Sequence, residues 1–402
     1  MKSYCLANNI KKNIKTCIEI LVEFFYKTTC KNVIKTKLKY EVYATNCKHT
    51  FFGYYDKTPF SADNNKILAI GTNHNDVLTL PKEAVIGFFD KVTKKFSQID
   101  TSTTWCWQQG CRLMWFDDHS VIYNKIVEGY YGSVVYSFEK KKIVRQYNFP
   151  IYDKTSDNRF ALSLNFSRLH YFRPGYGYVN FLSEEDKAKI GECDGVFLCD
   201  LVNNVKTLII PLKDIVEKDF DERMENAYHY INHLKFSPDN EHFIFYHIWN
   251  QENKRFTRAM LATLNGEIEK VFDNKTFLSH YDFKNKDELL IFTKSTQNGY
   301  HLYNFQNDTV DIFSPDLQED GHPSFISDDL VLTDTYPSRF LREQKLILAN
   351  KKRYEVIGKF YAPSKYKGEF RCDLHPRLSG DKKFIAIDMP FFDGRKIVVL
   401  DL

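Results

Sequence analysis

The chain has 402 residues, of which 43% are hydrophobic and 27% are charged, a balance typical of a soluble globular protein. This composition excludes a disordered chain, a collagen-like chain and a bundle of membrane helices. The formal net charge of +4 is too small to indicate a protein that binds nucleic acid. Nine cysteines are scattered without a Cys-x-x-Cys pair, which favours reduced thiols in a cytoplasmic protein over disulfides or a zinc knuckle.

The first 37 residues are predicted to form a basic amphipathic helical arm. Residues 1–48 carry ten lysines and three glutamates, a net charge of +7. The apolar stretch from Cys17 to Tyr26 is only about ten residues long and is interrupted by Glu19 and Glu23, which excludes a membrane span and argues against a signal peptide. A helix would place five apolar side chains on one face: Ile14, Cys17, Ile18, Leu21 and Phe25.

Two interpretations of this arm stay open. The helix either packs on its own domain, or it lies on an anionic membrane surface or a partner protein. We therefore predict a cytoplasmic protein, with peripheral contact at the inner face of the membrane through residues 1–37 under the second interpretation.

From residue 49 onward one pattern recurs: an apolar strand, a tight turn of the Ser-x-Asp kind, and a second, strongly apolar strand. Six copies are clear and a seventh, around Asn165 and Ser167, is degraded. They lie at Pro59–Asp63, Trp115–Asp118, Leu162–Phe172, Phe236–Asp239, Phe283–Lys286, Phe325–Asp328 and Leu378–Asp381. Most of them are followed by a second hairpin with a short polar tip.

The spacing of these turns predicts the fold. Successive turn residues at 239, 286, 328 and 381 are separated by between 42 and 53 residues. A period of this length with four strands per unit is typical of a β-propeller, whereas a pair of β-sandwiches does not repeat in this way. We therefore predict an all-β protein, a seven-bladed β-propeller with a short N-terminal helical arm.

The two ends of the chain are predicted to close the ring. The last repeat stops at Lys396–Leu402, one strand short of four. Leu38–Ala44 can supply the missing strand, and closure of this kind removes exposed sheet edges. This interpretation assigns residues 1–37 to the arm and 38–402 to the propeller.

Four successive repeats carry a histidine six residues before the turn residue. These are His233, His280, His322 and His375, and the same offset in the first three repeats gives Lys57, Arg112 and, with a looser alignment, Arg159. The position lies at the start of the innermost strand, so these side chains are expected to meet near the mouth of the central channel.

Such a ring has three interpretations. Converging imidazoles can bind a divalent metal such as Mn²⁺, Fe²⁺ or Zn²⁺. Histidine, arginine and lysine together can instead bind an anionic ligand. Each position can also hold a polar side chain that only bonds the loop of the next blade.

A further histidine and several aromatic residues are expected on the same face. His247 ends the second strand of the fourth repeat and is a candidate general base, or else a strand-end histidine bonded to a carbonyl. Aromatic side chains on the rim can stack on sugar rings or simply pack; they are Tyr54, Tyr55, Trp107, Tyr281 and Tyr336. Of these, Tyr54 and Trp107 are predicted to bind substrate with Lys57, Arg112 and Arg159.

Several of these segments resemble blades of the oligogalacturonate lyases. The similar segments are His49-Thr50-Phe51-Phe52, Phe60-Ser61-Ala62-Asp63, Asn232-His233, Phe245-Tyr246-His247, Ser279-His280-Tyr281-Asp282-Phe283 and Gly321-His322-Pro323-Ser324-Phe325. The turns also look like those of the wider TolB-like propeller group. The chain departs from the lyases in its Lys-rich arm, in a seventh repeat with its own His375, and in Ile248-Trp249 after His247.

The resemblance implies a chemistry. Oligogalacturonate lyases are seven-bladed propellers that cut acidic oligosaccharides by β-elimination with a Mn²⁺-type metal. Carried over, it implies His280 and His322 as metal ligands and His233 and His375 as further ones. It also implies His247 as the base and Arg258 as the partner of a substrate carboxylate.

We therefore predict a carbohydrate-active, metal-assisted lyase that acts on an acidic, uronate-containing oligo- or polysaccharide. Similar propellers occur in bacterial capsule and O-antigen clusters, so this metabolism is the implied setting. The alternative is a noncatalytic propeller that binds an acidic glycan or a protein partner in polysaccharide assembly. No hydrolase motif competes, although Glu128, Asp282 and Asp334 are carboxylates from which a glycosidase pair could be drawn.

Overall fold

Runs of apolar residues in this chain form strands that are buried on both faces. In the strand Lys66–Thr72, every residue after the first is buried. Both sides of such a strand are apolar because each sheet packs against a neighbouring sheet on either side. The computed structural model describes residues 2–28, 33–252, 254–272, 277–294 and 297–402.

Seven antiparallel sheets follow one another along the chain and form the blades of a propeller, which confirms the predicted fold class. The first three blades are β3 (His49–Phe51), β4 (Lys66–Thr72), β5 (Ala84–Asp90) and β6 (Phe96–Ser102); β7 (Met114–Asp117), β8 (Ser120–Val127), β9 (Tyr130–Ser137) and β10 (Lys142–Tyr147); and β11 (Asp153–Lys154), β12 (Phe160–Ser163), β13 (Gly195–Asp200) and β14 (Val205–Pro211).

Blades four and five are β15 (Tyr228–Phe236), β16 (His242–Gln251), β17 (Lys254–Thr263) and β18 (Ile268–Phe272); and β19 (Leu278–Phe283), β20 (Glu288–Lys294), β21 (Asn298–Asn304) and β22 (Thr309–Phe313). Blades six and seven are β23 (Ser324–Ser327), β24 (Leu330–Asp334), β25 (Glu343–Asn350), β26 (Tyr354–Tyr361) and β1 (Ile34–Thr36); and β27 (Arg377–Leu378), β28 (Phe384–Pro390), β29 (Arg395–Asp401) and β2 (Tyr40–Tyr43).

The described helices are few. They are α1 (Lys2–Thr28), α2 (Phe166–Phe172) and α3 (Leu212–Glu217), with short 3-10 turns at Glu185–Lys187, Glu222–Met224 and Gly368–Phe370. No helix in the described residues is both long enough and apolar enough to cross a bilayer.

The turn between the first two strands has one recurring design. In blade one the Ser61 hydroxyl donates to the Asp63 carboxylate at 2.5 Å, and the next residue, Asn64, has a left-handed backbone with φ of 59°. Asparagine tolerates this conformation better than most residues do. Blades three, four and seven have the same turn, around Asp157, Asp239 and Asp381.

The predicted position of the third repeat is wrong. Its turn is Thr155–Asn158, where the Thr155 hydroxyl donates to Asp157 at 2.6 Å. The predicted copy at Leu162–Phe172 instead holds the end of β12 and α2. The position of the repeat was mispredicted because the second strand of this blade, β12, is short and a long insertion that contains α2 follows it.

The N-terminal segment joins the last two blades. β2 pairs antiparallel with β29, with Tyr40 opposite Leu400 and Tyr43 opposite Ile397. The short strand β1, which lies inside the segment predicted as the arm, adds a fifth strand to blade six through its pairing with β26. Blade seven therefore contains strands from both ends of the described chain.

Helix α1 packs on blade six through a face other than the predicted one. The Tyr26 ring stacks on Tyr361 at 4.0 Å, and its hydroxyl donates to Glu343 at 2.7 Å. From the predicted apolar face, Leu21 and Phe25 are instead 66% and 51% exposed. Cys17 is also exposed and Ile18 is half-buried, and the side chain of Ile14 lies outside the described part.

Closure of the ring can be tested within β2. Tyr43 is buried against Phe89, whereas Tyr40 on the same strand is 37% exposed. Tyr43→Ala is expected to lower the free energy of unfolding by about 3 kcal/mol because it removes a buried aromatic ring. Tyr40→Ala, the matched control, is expected to change it by no more than about 0.5 kcal/mol. Equal losses in denaturant unfolding would contradict a specific closing contact at Tyr43.

Candidate active site

A short loop from blade one crosses the central channel. It begins at Gly53, whose backbone has φ of +129° and whose missing Cβ would lie 2.9 Å from the carbonyl carbon of Gln109. Only glycine fits both constraints without strain. The Gly53 amide donates to Asp388 at 3.2 Å, and its carbonyl accepts from Arg377 at 3.0 Å. These bonds fix the loop so that Tyr54 and Tyr55 project into the channel.

Tyr54 lies at the centre of the four predicted histidines. Ring centroids are 5.3 Å apart for Tyr54 and His233, 6.2 Å for His280, 6.1 Å for His322 and 5.0 Å for His375. His322 is 4.0 Å from His280 and 4.4 Å from His375. The structure therefore brings the four histidines and Tyr54 together.

A shared backbone feature supports the equivalence of these positions. His233 and His375 have left-handed backbones, with φ of 55° and 46°, and so does Arg112 in blade two, with φ of 53°. In blade four this conformation coincides with a break in the pairing between β15 and β16. Such bulges turn a side chain away from the regular direction of the strand.

All four imidazoles have an oxygen atom beside Nδ1, which for His233 is the Tyr54 hydroxyl at 3.0 Å. His322 Nδ1 lies 2.8 Å from Asp334, and His375 Nδ1 lies 2.9 Å from the Gly53 carbonyl. His280 Nδ1 lies 2.9 Å from the Ser279 hydroxyl, which itself donates to Asp320 at 2.8 Å. A neutral imidazole that donates from Nδ1 keeps its lone pair on Nε2. The Nε2 atoms are therefore the available ligands or bases.

Two of these nitrogens and one carboxylate oxygen of Asp373 have no hydrogen-bond partner, and His375 Nε2 lies 4.0 Å from the other oxygen of Asp373. His322 Nε2, His375 Nε2 and Asp373 Oδ1 are buried and accept or donate no hydrogen bond within the described chain. Ligand atoms of these three residues lie within 4.8 Å of one another. Unsatisfied buried polar atoms are rare in folded proteins and are often explained by a bound ion. Two imidazoles and one carboxylate suit a divalent first-row metal.

Asp373 was not predicted from the sequence. It lies two residues before His375 in the loop that precedes β27. Its closeness in the sequence to a histidine of the column was the signal that could have identified it. Its second oxygen accepts a hydrogen bond from Arg371 at 2.6 Å.

The buried histidines are in the protonation state that metal binding requires. Desolvation lowers the pKa of His322 and His375 well below the usual value, and repulsion from neighbouring imidazoles adds to the effect. The pKa of His233 is lowered in the same way. Neutral imidazoles ligate metals without first losing a proton.

A cavity of about 310 Å³ adjoins the cluster and carries positive charge on its wall. His233 and His280 line it, together with three arginines that the sequence analysis missed: Arg173, Arg255 and Arg371. Arg173 follows α2 in the insertion of blade three, Arg255 lies in β17, and Arg371 lies in the loop before β27. Because these positions lie outside the repeating column, the repeat pattern did not identify them.

The arginines give the cavity a surplus of cationic groups. Arg371 donates to Tyr176 at 2.6 Å, and Arg173 lies 4.9 Å from the same ring. Desolvation lowers the pKa of Arg255, and repulsion from Arg173 adds to it. Clustered arginines of this kind favour carboxylate or phosphate ligands.

The predicted cations of blades one to three do not line this cavity. Arg112 is buried and bonded to both Asp56 oxygens, at 3.1 and 2.7 Å. Lys57 is paired with Asp153. Arg159 is exposed at the third-blade turn, because the true turn residue is Asp157 and shifts the alignment.

The predicted rim aromatics have separate positions. Trp107 is buried in blade one, where its indole donates to the Asp76 carbonyl at 2.8 Å, so it does not reach the cavity. Tyr55 donates to the Tyr281 carbonyl at 2.8 Å inside the channel. Tyr336 lines the cavity. The Tyr55 ring lies 5.6 and 5.2 Å from the rings of His280 and His322, and the Tyr336 ring lies 6.2 and 5.6 Å from them.

His247 and Arg258 are buried between strands, away from the lining of the cavity. Arg258 Nε donates to His247 Nδ1 at 3.0 Å, and His247 Nε2 lies 2.9 Å from His229 Nδ1. His229 Nε2 then lies 3.1 Å from the Met224 carbonyl. The remaining guanidinium nitrogens of Arg258 donate to backbone carbonyls at 2.9 and 2.7 Å. This hydrogen-bond chain occupies both His247 nitrogens and leaves no lone pair for a substrate.

The three carboxylates considered for a glycosidase pair are also separated. Asp334 bonds His322, and Asp282 accepts from Lys235 in another part of the channel wall. Glu128 is exposed at the turn after β8. The described residues therefore provide no facing pair among them.

Comparison with solved structures shows the fold. An oligogalacturonate lyase from Vibrio parahaemolyticus superimposes with a TM-score of 0.61 at 12% identity, over 92% of this chain and 97% of that chain. An oligogalacturonate lyase in complex with manganese gives 0.62 at 13% identity, with the same coverage. TolB from Acinetobacter baumannii gives 0.41 at 12% identity, over 80% and 76%, a value too low to carry an argument. No family model matches the sequence, and no curated protein matches it. The predicted resemblance to an oligogalacturonate lyase-like propeller is confirmed at the level of the fold.

The buried His247–His229 pair predicts a dependence of stability on pH. Desolvation lowers the pKa of His229 to about 4, so the unfolded chain binds a proton at pH 5 that the folded chain does not. Stability is therefore expected to fall as the pH decreases from about 6.5 towards 4. His229→Gln keeps one donor and one acceptor without titrating, and is expected to reduce this loss by about 2 kcal/mol. Denaturant unfolding at several pH values measures this difference, and an unchanged pH dependence would mean that His229 has the same pKa in the folded and the unfolded chain.

Proposed function

We propose that this protein is a metal-assisted lyase that acts on an acidic, uronate-containing oligo- or polysaccharide by β-elimination. One observation carries the proposal: His322, His375 and Asp373 cluster beside a cavity lined by three arginines, and each of them has a buried ligand atom without a hydrogen-bond partner. The likeness of the fold to oligogalacturonate lyases supports the same chemistry.

The proposed metal is divalent, with Mn²⁺ the first candidate. The similar lyase in complex with manganese supports this choice. His322, His375 and Asp373 would hold the ion, and His280 adjoins them. A bound divalent ion would neutralise the substrate carboxylate and so make the adjacent carbon–hydrogen bond more acidic.

The arginines are proposed to bind and orient the substrate. Carboxylates along an acidic glycan would bind Arg173, Arg255 and Arg371, since paired guanidinium donors match the two oxygens of a carboxylate. Arg371 also bonds Asp373, so a carboxylate bound there would lie next to the proposed metal ligands.

His280 is the proposed base in place of His247. It lines the cavity, and its Nδ1 is fixed by Ser279 and Asp320, which leaves the Nε2 lone pair to accept a proton. The carbon–hydrogen bond breaks and its electron pair forms a carbon–carbon double bond. The bond to the neighbouring glycosidic oxygen breaks with its electron pair on that oxygen, which takes a proton from water. The proton remains on the imidazole, and Asp320 stabilises the resulting charge.

A role in bacterial capsule or O-antigen metabolism and a cytoplasmic location stay predictions that follow from the resemblance and the composition. The substrate is proposed by chemical class alone, because the cavity identifies charge and not the identity of the sugar.

Metal content tests the proposed centre. Protein purified without an affinity tag or chelators is expected to contain nearly one equivalent of Mn, Fe or Zn. His322→Gln and His375→Gln are each expected to lower the affinity at least about tenfold, because each removes a ligand. His301→Gln is the control, since His301 is buried in blade five and bonded to the Gln297 carbonyl. A content that stays at zero after reconstitution would contradict the metal centre.

Turnover tests the proposed base. His280→Ala is expected to keep the metal and to slow the formation of unsaturated uronate products by about 10²- to 10⁴-fold. Arg255→Ala is expected to raise KM more than it lowers kcat, because the carboxylate that Arg255 is proposed to bind is the same in the bound substrate and in the transition state. The absorbance of the new double bond measures both effects.

Two outcomes would revise these roles. Loss of the metal from His280→Ala would make His280 a ligand instead of the base. Tight binding of an acidic glycan without product under any divalent metal would contradict the lyase and favour a noncatalytic binding protein.

A further inference from the structure

Helix α1 presents an apolar face to solvent. Ile20, Leu21, Phe24 and Phe25 are 62%, 66%, 65% and 51% exposed. Residues three or four positions apart are neighbours on a helix, so these side chains form one continuous strip. An exposed apolar strip on a soluble protein usually marks a surface that binds something.

The opposite face of α1 explains why this strip is exposed. Its two carboxylates point towards the propeller, where Glu19 accepts from Lys367 at 2.8 Å and Glu23 accepts from the Ser364 hydroxyl. Val22 and Tyr26 pack on the same side. The helix is therefore anchored by its acidic side, and its outward side is free of carboxylates in the described part of α1.

Several lysines lie on α1 or on the blades next to it. The ammonium group of Lys27 lies 5.3 Å from the Phe392 ring and 3.0 Å from the Glu23 carboxylate, and Lys365 donates to the Phe392 carbonyl at 2.8 Å. At the other side of Tyr26, a groove of about 520 Å³ is lined by Lys35, Lys37 and Lys359, among others. Residues 1–48 as a whole carry a net charge of +7.

We propose that α1 docks the propeller onto an anionic lipid bilayer. The strip of Ile20, Leu21 and Phe24 would enter the boundary between headgroups and acyl chains, as amphipathic helices at membrane surfaces do. The nearby lysines would contact anionic headgroups. An anionic bilayer offers an apolar interior directly below a layer of negative headgroups. The combination of an apolar strip and lysines therefore fits a bilayer better than a protein partner, which would need acidic groups at matching positions. The inference is independent of the proposed lyase activity.

Vesicle flotation of the full chain tests this proposal. The protein is expected to float with vesicles that contain phosphatidylglycerol, and to bind phosphatidylcholine vesicles far more weakly. Added salt is expected to weaken the first interaction, because it screens exposed charges. Leu21→Glu/Phe24→Glu is expected to lower the partition at least about tenfold, since it removes two apolar side chains and adds charge.

A matched variant controls for charge and folding. Val92→Glu/Val202→Glu makes the same kind of change at sites that are 82% and 71% exposed on other blades, and is expected to bind vesicles only slightly less than the native protein does. Both variants are expected to keep the native thermal midpoint, because neither touches a buried residue.

Three results would overturn the proposal. The first is no flotation of the native protein with anionic vesicles. The second is equal flotation of Leu21→Glu/Phe24→Glu and the native protein. The third is a native dimer that becomes monomeric in this variant while neither binds vesicles, which would assign the strip to an interface between copies of this chain.

Discussion

The arrangement of the site depends on the anchoring of the Gly53 loop across the channel. Asp388 accepts both the Phe52 and the Gly53 amides and is itself paired with Arg377. The Gly53 carbonyl in turn orients His375, and Tyr54 occupies the space between the histidines of blades four to seven. The Gly53 loop of blade one therefore links blade seven to the histidines of blades four, five and six. Its position determines which imidazole nitrogens face one another.

Charge is distributed in layers around this loop. Deep in the channel, Arg112 and Asp56 form an ion pair in which neighbouring cations hold the pKa of the carboxyl at about 2 despite its burial. Above them lie neutral imidazoles, kept neutral by the same desolvation. Arg173, Arg255 and Arg371 line the cavity that adjoins these imidazoles. A cation bound by the imidazoles and anions bound by the arginines would thus be adjacent without competing for the same side chains.

Periodicity made the fold and the histidine column predictable. Seven repeats required seven hairpins, and a fixed offset from each turn placed four histidines at equivalent positions in space. The same reasoning failed for Arg159, because the short β12 and the insertion after it hid the Thr155–Asn158 turn. The repeat pattern could not predict Arg173 or Arg255, because both lie outside the histidine column and come close to each other only in the folded chain. His247 illustrates a further limit, since the strand direction was predicted but the burial by Arg258 and His229 was not.

The shared blade at the junction of the two ends affects how the chain reaches its native state. β2 cannot pair before β29 has been synthesised, and β1 cannot pair before β26 has been synthesised. Contacts between residues more than 300 positions apart therefore form last. Such non-local pairing slows folding, and during synthesis the first strands would leave the ribosome long before their partners. Until then the Tyr26 side of α1, which later packs on Tyr361, would be uncovered as well. The N-terminal segment therefore waits longer for its partner strands during synthesis than the strands of blades one to five do.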